Sequence, residues 1–230
     1  MKKLYQIQMY LREVAASLQS GIQGFKCIKL RQIISECQIS PFQQFDNTSY
    51  NDADEFLEYL VDKLFKIVST ERYVTVLEPF DQPSSAVYRI IPAPEKSGHL
   101  SELLLQPNYD DTLSGYATHV MPVPNDFLVI VLGNRKNFPD KFDIIPDRRI
   151  TFKNEKTLAL SGVVMGVPGH YVSVVRRGSE WFYLNDLHGK EKAVKYESYD
   201  KMIQTKRLGG DSFNVTNNGR LFMYTLDEGG

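Results

Sequence analysis

The hydrophobic period of this 230-residue chain changes once, near residue 72, and that change limits the fold more than any other feature. Before it the spacing is helical. Leu4, Ile7, Leu11, Val14, Ala15 and Leu18 recur every three to four residues, which predicts one amphipathic helix over 3–20. Gly21 and Gly24 end it. Ile28, Leu30, Ile33 and Ile34 predict a short helix over 28–37, and Pro41 with the polar residues 43–51 predicts a loop. A third helix is expected over 52–68. Asp52 and Glu55 resemble a capping box, and Phe56, Leu57, Leu60, Val61, Leu64, Phe65 and Val68 give it one apolar face. After residue 72 the period becomes two. Strands are expected over 73–77, 86–91, 158–165, 171–176, 181–185 and 221–226, with one helical segment at 100–105. The unbroken apolar run Phe127 to Leu132 reads as a strand buried on both faces. Helices followed by strands specify an α+β fold, with a helical lobe at 1–70 and a β-rich lobe at 71–230.

Composition removes several classes of function. The net charge is −1, and the densest basic runs, Arg148-Arg149 and Arg176-Arg177, are only pairs, so no nucleic-acid partner is expected. No apolar run reaches the ~18 residues of a membrane span, and no apolar stretch follows the basic start, so neither a membrane nor a signal peptide is expected. Two cysteines, Cys27 and Cys37, and four scattered histidines form no zinc-ligand spacing. No metal or other cofactor is expected, and an intracellular compartment is.

One candidate site follows from strand geometry. If Gly178 and Ser179 are the two turn residues of a hairpin, Arg177 faces Glu180. Counting outward, Val172 faces Asn185 and His170 faces Leu187. Alternation puts His170 and Asn185 on one face as diagonal neighbours and turns Asp186 to the other. An imidazole beside a carboxamide is the base and orienting pair of a Cys-His-Asn triad. It is also what a strand-end histidine bonded to a neighbour looks like, and a one-residue slip in register would separate the two.

Five stretches, in order, resemble the ubiquitin-specific protease family. Asn51-Asp52-Ala53-Asp54-Glu55-Phe56-Leu57 with Leu60-Val61-Asp62-Lys63-Leu64 is similar to its Q-Q-D-A-x-E-F-L…L-L-D-x-L helix. Pro124 to Arg135 is similar to its P-x-x-L-x-I-x-L-x-R strand. Leu160 to Val164 followed by Gly169-His170-Tyr171-Val172-Ser173 resembles the histidine box. Trp181 to Asp186 resembles W-x-x-F-[N/D]-D, and Leu221 to Tyr224 the closing strand. The resemblance implies a papain-like palm-and-thumb fold. It makes His170 the general base, Asn185 its orienting residue and Asp186 the neighbouring acidic position. The implied partner is ubiquitin or a ubiquitin-like protein, joined through its C-terminal tail to lysine.

The departures are as informative. The family's cysteine box, G-L-x-N-x-G-N-T-C-Y-x-N-S, does not occur in the sequence, and Cys27 and Cys37 lack the preceding Asn and Gly. Only Thr70 to Ser85 stands where the family carries its zinc-bearing fingers, and Met165 stands where it usually has histidine. Three readings remain. The nucleophile lies outside these residues, or the domain is a catalytically dead binding scaffold, or Cys27 or Cys37 has taken over, which their surroundings disfavour. Each predicts little activity for the chain alone except the last. A groove left by the absent cysteine helix would be filled by a protein partner, another copy, or a rearranged N-terminal helix.

Overall fold

The computed structural model describes residues 2–20, 57, 73–75, 84–86, 89–91, 96–105, 127–132, 142–152, 155–185 and 193–226. The chain divides into two compact units. One comprises Met1–Ser69 and Asn185–Ala193, the other Thr70–Leu184 and Val194–Gly230.

In the first unit, helix α1 spans Lys2–Ser20. Its described side chains follow the sequence period: Ile7 is fully buried, Leu11 is half-buried, and Tyr5 and Met9 lie exposed. The helices expected over 28–37 and 52–68 fall outside the described residues, apart from Leu57, which is helical.

Among its described residues, the second unit is built on an eight-stranded sheet. Its strands are β3 (Arg89–Ile91), β5 (Phe127–Leu132), β7 (Arg149–Thr151), β8 (Thr157–Val167), β9 (His170–Arg177), β10 (Glu180–Leu184), β11 (Val194–Tyr196) and β12 (Gly219–Leu226). They run in the order β11-β10-β9-β8-β12-β5-β3, and β7 pairs separately with β8. All pairings are antiparallel except β3 with β5. Two small ladders complete the described strands: β1 (Tyr73–Thr75) with β2 (Ser84–Ala86), and β4 (Gly98–His99) with β6 (Ile144–Ile145). Within the strand expected over 86–91, Ala86 ends β2 and Arg89–Ile91 is the whole of β3, and these two strands have different partners.

The long strands exist because alternation gives them a shared apolar face. A single rung runs Ile130, Phe222, Val163, Val174 and Tyr183 across β5, β12, β8, β9 and β10. All five residues are buried. Leu128, Leu160, Met165, Val172, Trp181 and Tyr224 extend the same core. Five consecutive residues of β5, Leu128 to Leu132, are buried, as the unbroken apolar run requires.

Polar contacts tie the loops to this sheet. Asp147 accepts from the Ser101 N–H at 2.8 Å, at the first turn of the helix Leu100–Leu105, and pairs with His99 Nδ1 at 2.9 Å. The Asp147 carbonyl accepts from the Tyr224 hydroxyl at 3.0 Å, and the Pro146 carbonyl accepts from Tyr199. Burial, reinforced by the Asp147 charge, pushes both tyrosine hydroxyls well above their ordinary pKa. Tyr199 begins the helix Tyr199–Gln204, which Ser198 caps, and its ring meets Trp181 edge-on at 6.2 Å.

Candidate functional site

The hairpin expected from the sequence is present in the expected register. Glu180 pairs with Arg177, and pairing runs without a shift to Leu184 opposite Ser173. The turn Gly178–Ser179 leaves no slack, because Gly178 takes a left-handed φ of 59° that an L side chain resists. On the other side of β9, a second two-residue turn, Pro168–Gly169, joins β8 to β9, and Gly169 again takes a positive φ, 68°. Strand β9 is thus held at both ends by turns that fix its frame.

His170 is the first residue of β9 and pairs with Val167 of β8. Its parity is that of Val172 and Val174, which face the core, and the side chain is half-buried. Asn185 directly follows β10, two residues after the buried Tyr183, and is itself only 6% exposed. An amide this buried is found where its polar atoms have partners. Asp186, Cys27 and Cys37 lie outside the described residues. Met165, at the position where the resemblance expects histidine, is a fully buried core residue opposite Val172.

Two features beside the hairpin were not anticipated. Gly166, opposite Tyr171, lies under the side chain of Arg220 from β12. The register of β12 against β8 shifts between Gly219 and Leu221, so Arg220 occupies a bulge. A glycine inside an otherwise apolar strand was the available signal, since such a residue often marks close approach of another chain segment. Among the described residues, no group of three or more His, Cys, Asp or Glu could hold a metal ion. No described helix is long and apolar enough to cross a membrane.

No family model matches the sequence, and no curated protein does. Solved structures do. The SAGA Ubp8 DUB module bound to ubiquitin aldehyde matches over 95% of this chain and 64% of the other, at 14% identity and a TM-score of 0.54. The fold is that of a ubiquitin hydrolase. A Saccharomyces cerevisiae PAN2 pseudoubiquitin-hydrolase matches over 87% and 70% of the respective chains, at 10% identity and a TM-score of 0.45. A Saccharomyces cerevisiae Pan2 pseudoubiquitin hydrolase-RNA exonuclease module in complex with AAGGA RNA matches over 68% and 31%, at 11% identity and a TM-score of 0.36. The chain spans slightly less than two thirds of the length of the SAGA Ubp8 chain it matches.

Proposed function

We propose that this chain is a domain of the ubiquitin-specific protease type that engages the C-terminal tail of ubiquitin or a ubiquitin-like protein. In this reading His170 is the general base and Asn185 the amide that orients it. The observation that carries it is the unshifted register of β9 and β10 up to Leu184–Ser173. In this reading the same count, carried one step beyond the ladder, would set Asn185 opposite Val172, two residues from His170. The buried amide oxygen would accept from one ring nitrogen, leaving the other to take a proton from a thiol. The similarity in fold to a DUB module supports the substrate class.

The sequence contains no cysteine box, so these residues supply a base without its nucleophile or the backbone donors of an oxyanion hole. The chain alone is therefore non-hydrolytic, and its activity is that of a binding domain unless a positioned thiol is supplied from elsewhere. The same absence favours the second reading, a pseudo-deubiquitinase that retains the fold as a protein-binding scaffold. Asp186 stands as the neighbouring acidic position in either case.

The test combines binding with thiol labelling. The labelled chain titrated with ubiquitin should show resonance changes concentrated on β9, β10 and the Pro168–Gly169 turn, and a thiol-directed ubiquitin probe should not label it. Changes absent with ubiquitin and with a panel of ubiquitin-like proteins would overturn the substrate class. Labelling abolished by Cys27→Ala or Cys37→Ala would make that cysteine the nucleophile.

A further inference from the structure

Asn218-Gly219 is the one Asn-Gly pair in the sequence. It lies where the helical turn Val215–Asn218 gives way to β12. Packing imposes the glycine. A Cβ on Gly219 would fall 2.7 Å from Phe222 Cζ and 2.7 Å from the Val215 carbonyl oxygen, so a side chain is excluded there. The glycine nitrogen that follows Asn218 is therefore unshielded by any Cβ, which leaves this pair open to cyclisation once its backbone is free to turn. In the fold it is not free. Asn218 Oδ1 accepts from the Asn214 N–H at 3.2 Å, and Asn218 Nδ2 donates to the Gly166 carbonyl of β8 at 3.4 Å. One contact faces a donor and the other an acceptor, which fixes the orientation of the amide. The Gly219 N–H is held as well, donating to the Val215 carbonyl.

We propose that Asn218 is a deamidation site that the native fold holds closed, and that its conversion marks chains in which this turn has opened. The reaction requires the Gly219 backbone nitrogen, stripped of its proton, to attack Asn218 Cγ. A five-membered succinimide forms as the Cγ–Nδ2 bond breaks, and the nitrogen leaves as ammonia. Water then opens the ring at either carbonyl and gives aspartate or isoaspartate, one water entering for each ammonia lost. In the native turn the attacking nitrogen keeps its proton on the Val215 carbonyl, and the target amide is held by Asn214 and Gly166. Both partners are released only when the turn and its contact with β8 open together. A helix of four residues opens at a lower free energy than the sheet core beside it. The product does not fit the native contacts. An aspartate carboxylate has no donor for the Gly166 carbonyl, and isoaspartate adds a backbone carbon two residues before Arg220, where β12 already bulges. Gly166 pairs with Tyr171 in the rung next to Val167 and His170, so the change falls at the end of the hairpin that carries the candidate base. The inference holds whatever the domain binds.

The experiment incubates the full chain at neutral pH, in buffer and in denaturing guanidinium chloride, and follows every asparagine by peptide mass spectrometry. In denaturant Asn218 should convert faster than any other asparagine, with isoaspartate among the products. In buffer it should convert at least about tenfold more slowly, because the open form is a minor population. Gly219→Ala in denaturant should slow the conversion severalfold, a readout that does not depend on folding. Asn218→Asp, which makes one product directly, should unfold at a lower urea concentration than the parent. Conversion of Asn218 in buffer as fast as in denaturant, or its failure to convert in denaturant, overturns the proposal. An Asn218→Asp chain as stable as the parent overturns the claim that the product does not fit the native contacts.

Discussion

Replacing Asp147 by alanine should separate the two bonds its carboxylate makes. Oδ2 accepts from the Ser101 N–H at 2.8 Å in a part-buried setting, where it caps the free donors at the start of the helix Leu100–Leu105. Losing such a cap costs about 1–2 kcal/mol. Oδ1 pairs with His99, whose side chain is 50% exposed, so solvent screening limits that pair to below about 1 kcal/mol. The bond from the Tyr224 hydroxyl goes to the backbone carbonyl and survives the substitution. Asp147→Ala should therefore lower the unfolding free energy by roughly 1.5–2.5 kcal/mol. His99→Ala should lower it by less than about 1 kcal/mol. Asp147→Asn keeps one carbonyl acceptor and should fall between them. Equilibrium urea unfolding of the three variants at neutral pH measures all of this, provided the slope with denaturant is unchanged. His99→Ala costing as much as Asp147→Ala would refute the reasoning, because the dominant bond would then be the exposed pair and not the cap.

The core and its tyrosines give two more. Phe222 is fully buried in the middle of the five-strand rung, and Phe222→Ala should cost about 3–5 kcal/mol in the same urea assay. Tyr199 and Tyr224 have hydroxyl pKa values raised above the ordinary 10.0 by burial. Above about pH 10 the unfolded chain releases these two protons while the folded chain keeps them, so stability falls as pH rises through that window. Each tyrosine contributes a slope of up to about 1.4 kcal/mol per pH unit. Tyr199→Phe and Tyr224→Phe should each flatten the loss of stability measured between about pH 9 and pH 11, and an unchanged slope in both would count against the burial argument.

The parts of this fold that were legible in the sequence are those whose information is local. The β9–β10 hairpin could be read with its register because Gly178–Ser179 is a two-residue turn, and everything outward follows by counting. The buried strand β5 announced itself by an unbroken apolar run, and the helix Leu100–Leu105 by its leucines. Strand β11 did not. Val194–Tyr196 is three residues long, with two of them exposed, and its extended form comes from pairing with β10. The helix Tyr199–Gln204 buries fully only Met202, too little to produce a period, although Ser198 gave a cap signal in retrospect. The β6 and β7 segments are equally short and owe their state to distant partners.

The candidate site divides along the same line. His170 opens β9 and Asn185 directly follows β10, so spacing alone was enough to nominate them as a pair. Arg220 reaches Gly166 where β12 bulges against β8. Gly219 pairs with Met165 and Leu221 with Val164, so two steps along β12 answer one along β8. Beyond the bulge, Leu221 must also meet Val131 of β5. The extra residue on β12 is left unpaired against β8, as a bulge requires. Strict alternation from Phe222, whose side chain faces the core, would have put Arg220 among the apolar residues of the core face. The bulge instead turns it to the opposite face, where Gly166 has no Cβ to exclude it. A charged residue in the closing strand is thus compatible with the core because of a register shift that neither β8 nor β12 encodes by itself.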